Sequence, residues 1–423
     1  MSDYLSINEV QKAEMLKKIG VEKVEDLYQD IPPRMRAKKL QIPEKVTSDV
    51  TLKYMQGVSN LNKSYNTILV GAGCYNHFIP PVVKKIDAKD IPHNAKISSK
   101  QKAGDGLAQL LNEYEKIISS LTGLDVTTSP QESGAVAAAK ACLMCVEKGQ
   151  KVLTFDNINP DVLDVVKTYL SLNNVKLLIC ETKDGRSNIS ALKKLKGIGA
   201  VLIQTPNFYG LIENAKYISQ LAHIQGAKLV VYANPISLGL LEAPGDYDAD
   251  VACGDLQPLG MGMNYGGSTL GYLSAKQELE DKLPGIVIDR ESTKFIISSK
   301  GKLINDAMLS SREVLSALTT CTYISSLGVK GLKEIASLCV STAHYFATAL
   351  EYVGCKIKYK NEFFDEFVTE TPGKAKRVLQ ALHNENILGG WALNDDEILW
   401  CCTEQNSKEE IENVVNIIGG VLW

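Results

Sequence analysis

Between residues 151 and 231, short apolar segments alternate with amphipathic ones, and this alternation constrains the fold more than any other feature. The apolar segments have the length of strands, and the segments between them have the length of helices. Strands and helices that alternate at this spacing predict βαβ units, a mainly parallel sheet and right-handed crossovers. The predicted strands are Lys151 to Phe155, Lys176 to Cys180, Ala200 to Gln204 and Ala227 to Val231, and the predicted helices are Asp161 to Leu170, Ser190 to Leu195 and Ile212 to His223.

The segments on either side of this region have a different character. The first ~60 residues hold helical segments with too little apolar material for a core of their own. They are expected to form an arm that packs on a larger body or on a neighbouring chain. Beyond residue ~300, long helices at Val314 to Leu327 and Leu332 to Val353 precede short strands mixed with helices, which is typical of an α+β domain. We therefore predict a helical arm over residues 1–65, a large α/β domain over 66–300 and a small α+β domain over 301–423.

Composition excludes several classes of function. Charged residues make up 22% of the chain and the net charge is −3, which gives no electrostatic basis for binding nucleic acid or an anionic membrane. The 10 cysteines are scattered through apolar segments, and no secretory signal opens the chain. No apolar run is long enough to span a membrane. A reduced, cytoplasmic location is expected.

The loop after the strand Asp250 to Gly254 is the first candidate site. It is polar, rich in glycine and kinked by proline, and it ends before another short strand. Open α/β sheets place ligands at such loops, outside the carboxyl ends of their strands. The sequence therefore predicts a ligand cleft here.

A second glycine-rich segment follows the apolar residues Thr67 to Val70. Gly71 and Gly73 resemble the start of a dinucleotide-binding fingerprint, but Asn76 stands where the third glycine belongs, and no acidic residue ends a second strand ~20 residues later. A tight turn at which the backbone passes close to another group is the favoured interpretation.

A third candidate is the polar loop before the small-residue helix that begins near Ser133. Small residues in a first turn leave the N–H groups of the helix open to an anion such as phosphate, so Ser133, Gly134 and Ala135 form a candidate phosphate cup. Ser133 as a plain N-cap is an equally good interpretation. Cys142 and Cys145 lie inside the apolar helix, which favours core packing over metal or redox chemistry.

Several motifs together resemble one family over nearly the whole chain. They are Met15-Leu-Lys-Lys-Ile-Gly-Val, Gly71-Ala-Gly-Cys-Tyr-Asn-His-Phe-Ile-Pro, Gln204-Thr-Pro-Asn-Phe-Tyr-Gly, Pro235-Ile-Ser-Leu-Gly-Leu-Leu, Pro244-Gly-Asp-Tyr and Gln257-Pro-Leu-Gly. The chain resembles subunit 1, the N-terminal half, of the two-chain glycine decarboxylase, the P-protein of the glycine cleavage system. The resemblance implies the pyridoxal-phosphate fold type I of aspartate aminotransferase, an α/β fold.

The resemblance also predicts what the first loop lacks. Fold type I enzymes carry their Schiff-base lysine there, because its amine forms the imine that holds the cofactor. Pro258 stands in that place, and Asn234 stands in place of the acid that usually pairs with the pyridine nitrogen. No catalytic residue is therefore expected in this chain, and pyridoxal phosphate is expected on a lysine-bearing partner subunit.

The function implied is that of subunit 1 of glycine dehydrogenase (aminomethyl-transferring, decarboxylating). With subunit 2 it would decarboxylate glycine and pass the aminomethyl group to the lipoyl H-protein. The alternative is a catalytically inactive homologue that serves as a binding or assembly partner. The residues expected around a ligand are Asn76, His77, Ser133, Gly134, Ala135, Asn207, Asn234 and Gln257. The chain departs from the family's pattern at Ile91 to Lys100 and at Ser298 to Arg312.

Overall fold

A computed structural model describes residues 6–37, 41–43, 46–87, 97–98, 105–193, 196–266, 268–291, 294–298 and 308–422. The segments Ile91 to Lys100 and Ser298 to Arg312, where the sequence departs from the family pattern, lie largely outside these residues. The chain divides into two compact units, Met1–Lys63 and Ser64–Trp423. Each unit is described by itself.

The described residues form the following elements. The α-helices are α1 (Glu9–Ile19), α2 (Ser48–Ser59), α3 (Pro81–Asp87), α4 (Asp105–Thr122), α5 (Gly134–Cys145), α6 (Pro160–Leu172), α7 (Ile189–Leu192), α8 (Ala215–Ile224), α9 (Ser311–Tyr352), α10 (Ala375–Asn384) and α11 (Lys408–Leu422). The strands are β1 (Thr67–Ile68), β2 (Ile97–Ser98), β3 (Val126–Thr127), β4 (Lys151–Phe155), β5 (Lys176–Cys180), β6 (Thr182–Lys183), β7 (Arg186–Ser187), β8 (Ile198–Gln204), β9 (Lys228–Tyr232), β10 (Val251–Asp255), β11 (Gly271–Ala275), β12 (Val287–Glu291), β13 (Lys294–Ser298), β14 (Met308–Leu309), β15 (Lys356–Ile357), β16 (Glu366–Glu370), β17 (Ile387–Leu388), β18 (Trp391–Ala392) and β19 (Glu397–Cys401). Short 3-10 helices lie at Val24–Tyr28, Pro33–Met35, Ser237–Gly239, Pro244–Tyr247 and Gln277–Lys282.

The described residues of the N-terminal unit are mainly helical, and its role as an arm stays a prediction. Helix α1 begins with a capping box, in which the Asn8 side chain accepts the Gln11 N–H at 2.9 Å and the Gln11 side chain accepts the Asn8 N–H at 3.0 Å. It ends at Gly20, whose φ of 90° gives a left-handed C-cap. Neither α1 nor α2 contains a buried residue.

The larger unit is organised around a seven-stranded sheet of order β3-β11-β10-β9-β8-β4-β5. The five strands from β10 to β5 are parallel. Strand β11 runs antiparallel to β10, and the edge strand β3 runs antiparallel to β11 and therefore in the direction of the five. The mainly parallel sheet predicted from the sequence is confirmed. Parallel sheets need cover on both faces, and β8 is accordingly buried at all seven positions.

Two apolar cores lie on opposite faces of this sheet because neighbouring strand residues point to opposite sides. On one face, Leu202 packs in a cluster with residues of α5 and α6. On the other face, Val201 and Ile203 pack with α8, whose Ile218 is fully buried. The small residues of α5 permit this helix to lie close to the sheet, and its alanines from Ala137 to Ala139 have no exposed surface.

The C-terminal part forms a four-stranded antiparallel sheet of order β15-β16-β19-β18. Its core contains Phe346 of α9, Phe367 of β16 and Trp400 of β19, and the rings of Phe346 and Trp400 meet edge to face at 5.4 Å. Strand β1 pairs with β17, through Thr67 and Ile387. The first residues predicted for the large domain are therefore bound to a strand of the C-terminal part. The proposed boundary at residue 300 stays a prediction.

Helix α9 comprises the two long helices predicted from the sequence, joined across a kink. It runs for 42 residues and is interrupted at Gly328, which has φ 62° and ψ −178°. A positive φ costs little at glycine, so the chain changes direction there and resumes the helix. The sequence did not predict the hairpin of β12 and β13, because its short segments VIDRE and KFIIS lack a regular alternation of apolar and polar residues. Within the described residues, no helix is both long and apolar enough to cross a membrane.

The buried Trp400 provides a test of the C-terminal core. Trp400→Ala removes a ring with no exposed surface, together with the hydrogen bond that its indole N–H donates to Thr369 at 2.8 Å. The free energy of unfolding should fall by about 3–5 kcal/mol in urea titrations. Trp391→Ala on β18, where the side chain is 55% exposed, is the matched control and should change it by only about 0.5 kcal/mol. Equal effects of the two variants would contradict this packing.

Candidate functional site

A cleft of about 210 Å³ lies at the carboxyl edge of the parallel strands. Its walls come from the ends of β8, β9 and β10, from the first turns of α5 and α6, and from the glycine turn near residue 73. This is the edge where the sequence predicted a ligand site. The cleft is lined by Ala72, Gly73, Cys74, Tyr75, Ser133, Ala135, Asn159, Asp161, Val162, Gln204, Pro206, Tyr232, Ala233, Asn234, Pro235, Asp255, Pro258, Asp365 and Glu366.

The glycine turn forms one wall and packs tightly against β16 and β19. A Cβ at Gly71 would lie 2.5 Å from Glu366 Oε1 and 2.8 Å from Cys401 Cβ, so a side chain there has no room. The N–H of Ala72 donates to Glu366 Oε1 at 2.7 Å, and the Tyr75 hydroxyl donates to Glu366 Oε2 at 2.9 Å. The segment is thus a tight turn close to other groups, as the sequence indicated.

The first turn of α5 forms a second wall. Ser133 is its N-cap, and its Oγ accepts the Val136 N–H at 3.3 Å. The Gly134 N–H donates to Asp255 Oδ2 at 3.0 Å, so the end of β10 supplies an anion to this helix N-terminus. Glycine is required for this contact, since a Cβ at Gly134 would lie 2.5 Å from the Asp255 nitrogen. Ser133 and Ala135 line the cleft, and phosphate binding by this turn stays a prediction.

The loop after β10 is fixed by internal hydrogen bonds. The Gln257 side chain accepts the Tyr75 N–H at 2.9 Å and donates to the carbonyl oxygens of Tyr75 and Met261. Its amide group therefore holds the loop to the glycine turn and does not line the cleft. Pro258 and Asn234 do line it, and the Asn234 side chain accepts the Ile236 N–H at 3.0 Å.

The other predicted residues lie outside the cleft wall. Asn207 is buried, and its side chain donates to Gly185 O at 2.9 Å and to Glu213 Oε1 at 2.8 Å. His77 Nδ1 lies 2.7 Å from Glu404 Oε2. The Asn76 carbonyl accepts the Thr403 hydroxyl at 2.7 Å. These contacts connect elements of the larger unit, and ligand binding by these residues stays a prediction.

The carboxyl groups of the cleft were not predicted from the sequence. Asp255 could have been recognised because it ends a strand at the ligand edge. Asp365 and Glu366 gave no such signal, since they follow an irregular segment and reach the cleft only by packing against the glycine turn.

Burial raises the pKa of these acids. It raises the pKa of Glu366 to about 7, against the opposing hydrogen bonds from Ala72 and Tyr75. Burial, and then repulsion from the Glu366 carboxylate, raises the pKa of Asp365 well above its usual value. Burial also raises the pKa of Asp255, although the N–H groups of Gly134 and Gln257 oppose the shift. Among the described residues that line the cleft, none is Lys, Arg or His.

The fold of the larger unit defines the class of protein, the pyridoxal-phosphate fold type I. Aspartate aminotransferase of Thermus thermophilus has this fold, with a TM-score of 0.61 and 11% identity over 84% of this chain and 99% of that one. A crystal structure of glycine decarboxylase (P-protein) of the glycine cleavage system, in inhibitor-bound form, is more similar, with a TM-score of 0.86 and 28% identity over 99% of this chain and 100% of that one.

Sequence comparison specifies the family within this class. The family model for the glycine cleavage system P-protein matches residues 2–418. A probable glycine dehydrogenase (decarboxylating) subunit 1 of Desulfitobacterium hafniense is 33% identical over 438 residues, which cover 97% of this chain and 98% of the relative. The corresponding protein of Moorella thermoacetica is 31% identical over 444 residues and 99% of both chains. The chain belongs to the glycine cleavage system P-protein family, and the predicted resemblance and fold class are confirmed.

The described residues of this cleft do not fit pyridoxal phosphate. Pro258 has no amine to form an imine with the aldehyde. At the helix N-terminus that would receive the phosphate, the Gly134 N–H is bonded to Asp255, and no cationic side chain among the described lining residues balances the phosphate charge. The described part of the chain thus lacks both the covalent and the electrostatic anchors of the cofactor.

The pKa of Glu366 leads to a pH-dependent stability. The pKa of its carboxyl group is raised from 4.5 to about 7 in the folded chain, so the folded chain holds this proton more tightly than the unfolded chain. The resulting contribution to stability is fully present below pH 4.5 and is lost as the pH rises through about 7. Glu366→Gln should flatten the fall in the free energy of unfolding between these pH values, measured by urea titration. Glu370→Gln, at the other end of β16 where Glu370 pairs with Lys356, is the control and should keep the wild-type slope. An unchanged slope in Glu366→Gln would contradict the assignment.

Proposed function

We propose that this chain is subunit 1 of glycine decarboxylase and acts with a lysine-bearing subunit 2. The observation that carries the proposal is the full-length match to relatives of that name, together with Pro258 in the place of the Schiff-base lysine. An enzyme of this class needs the lysine to hold its cofactor, so the chemistry requires a second chain. The relatives' designation as subunit 1 supports such a pairing.

The partner subunit is proposed to bind pyridoxal phosphate. When bound, the cofactor supplies the electron sink for loss of carbon dioxide from glycine. The present chain would contribute the paired fold and part of the assembly to which the lipoyl H-protein brings its arm. Its own cleft, with Asp255 at the helix N-terminus, is not suited to the same cofactor. We also propose a cytoplasmic location for this chain. Its ten unpaired cysteines are consistent with a reducing compartment.

The alternative of an inactive binding or assembly partner has no support from the comparisons. The two readings differ in one respect that is easily measured. A working subunit is required for turnover, whereas an inactive partner changes only the assembly.

Glycine–bicarbonate exchange tests the proposal directly. Subunit 2 and the H-protein are assayed with and without this chain, and the exchange rate should depend on its presence. Lys276→Arg is the matched control for a hidden Schiff base, because Lys276 is the next lysine after Pro258 and pairs with Asp248 outside the cleft. It should retain the wild-type rate. An exchange rate that is the same without the chain would contradict the proposed function.

A further inference from the structure

The cleft has an acidic lining with no cationic partner. Four carboxyl groups line it, from Asp161, Asp255, Asp365 and Glu366, and none of the other described lining residues is Lys, Arg or His. No side chain of the described lining could therefore balance the charge of a phosphorylated ligand, whereas a carboxyl group that gives up its proton could pair with a cation.

Among the buried carboxyl groups of the described lining, Asp365 is the one with an unpaired oxygen, Oδ2. Asp255 accepts the Gly134 and Gln257 N–H groups, and Glu366 accepts the Ala72 N–H and the Tyr75 hydroxyl. Asp365 is 1% exposed, lines the cleft, and has no hydrogen-bond partner at Oδ2. A buried acceptor without a donor is costly, and such atoms in folded proteins point to a missing ion or ligand.

The geometry distinguishes an organic cation from a metal ion. Within the described residues, one group of three side chains could share a metal ion. It consists of His77, Cys339 and Glu404, whose ligand atoms lie within 4.8 Å of one another. None of these residues lines the cleft, and Asp365 is not among them. A divalent ion needs several converging oxygens, whereas an ammonium ion can be held by one carboxylate and neutral acceptors.

We propose that the cleft binds a small primary ammonium cation whose charged group pairs with the Asp365 carboxylate. The walls beside Asp365 include apolar surface from Ala72, Pro206 and Ala233, which suits a short alkyl body. The free volume of about 210 Å³ limits the ligand to a small molecule. This site goes beyond the proposed function and does not depend on it.

Binding should strengthen as the pH rises. Burial, and then repulsion from the Glu366 carboxylate, raises the pKa of Asp365, so a cation that pairs with its carboxylate competes with a proton for the same group. The groups that face Asp365 are carboxylic acids, thiols and one phenol, and none of them supplies a positive charge. They are Tyr75, Glu366, Cys339, Cys401, Cys402 and Glu404, the last of which is paired with His77.

Isothermal titration of the full chain with n-butylammonium, at constant ionic strength between pH 6 and pH 8, tests the site. Butan-1-ol, which has the same alkyl body without charge, and inorganic phosphate are the control ligands. The amine should bind several-fold more tightly at pH 8 than at pH 6, and neither control should bind comparably. Asp365→Asn should weaken amine binding roughly ten- to a hundredfold, the loss expected for a hydrogen bond to a charged group. Asp164→Asn, an exposed acid on α6 with 73% side-chain exposure, should keep the wild-type affinity.

Thermal unfolding of the variants separates loss of binding from loss of structure. Asp365→Asn removes a carboxylate next to Glu366 and should leave the melting temperature unchanged or raise it. The pH dependence of the wild-type chain provides a test that needs no variant. Equal affinity for butan-1-ol, preferential binding of phosphate, an affinity independent of pH, or full amine affinity in a folded Asp365→Asn chain would each overturn the proposal. Failure of the exchange assay would leave these results unaffected.

Discussion

The contact between Asp255 and the first turn of α5 joins the parts from which the cleft is built. Asp255 ends β10, and its carboxylate accepts the N–H groups of Gly134 and Gln257, at the start of α5 and in the following loop. The contact depends on glycine at position 134, where a Cβ would overlap the strand backbone. The Gln257 side chain then connects the loop to the glycine turn by accepting the Tyr75 N–H. One acid thus fixes the strand, the helix and the loop.

This arrangement explains how the fold of a cofactor enzyme can lack the cofactor's anchors. The positive end of α5, which would receive a phosphate, is balanced by a carboxylate of the same chain. Pro258 removes the amine, and Asp365 with Glu366 makes the opposite wall acidic. Family membership therefore assigns the chain to glycine decarboxylase, while the chemistry of its own cleft favours a different ligand. The two statements agree if the partner subunit carries the catalytic site.

The parallel sheet could be predicted from the sequence, since the alternation of apolar and amphipathic segments is local. The predicted strand Ala200 to Gln204 lies within the observed Ile198–Gln204. Contacts between distant segments could not be predicted in this way. Ala72 and Glu366 are 294 residues apart, and no local pattern indicates that they meet. Gln257 is a residue whose sequence position suggested the wrong contact. Its place in the loop favoured a ligand, whereas its side-chain amide donates hydrogen bonds to Tyr75 and Met261 of the same chain.

The stoichiometry of trapped cofactor tests the central claim most directly. The assembled complex of this chain with its lysine-bearing partner would be incubated with pyridoxal phosphate, reduced with borohydride, and analysed by peptide mass spectrometry. The account predicts one pyridoxyl group per pair of subunits, on the partner's lysine, and none on this chain. A pyridoxyl group on a specific lysine of this chain would contradict it, because the cleft would then hold the cofactor that its residues do not fit.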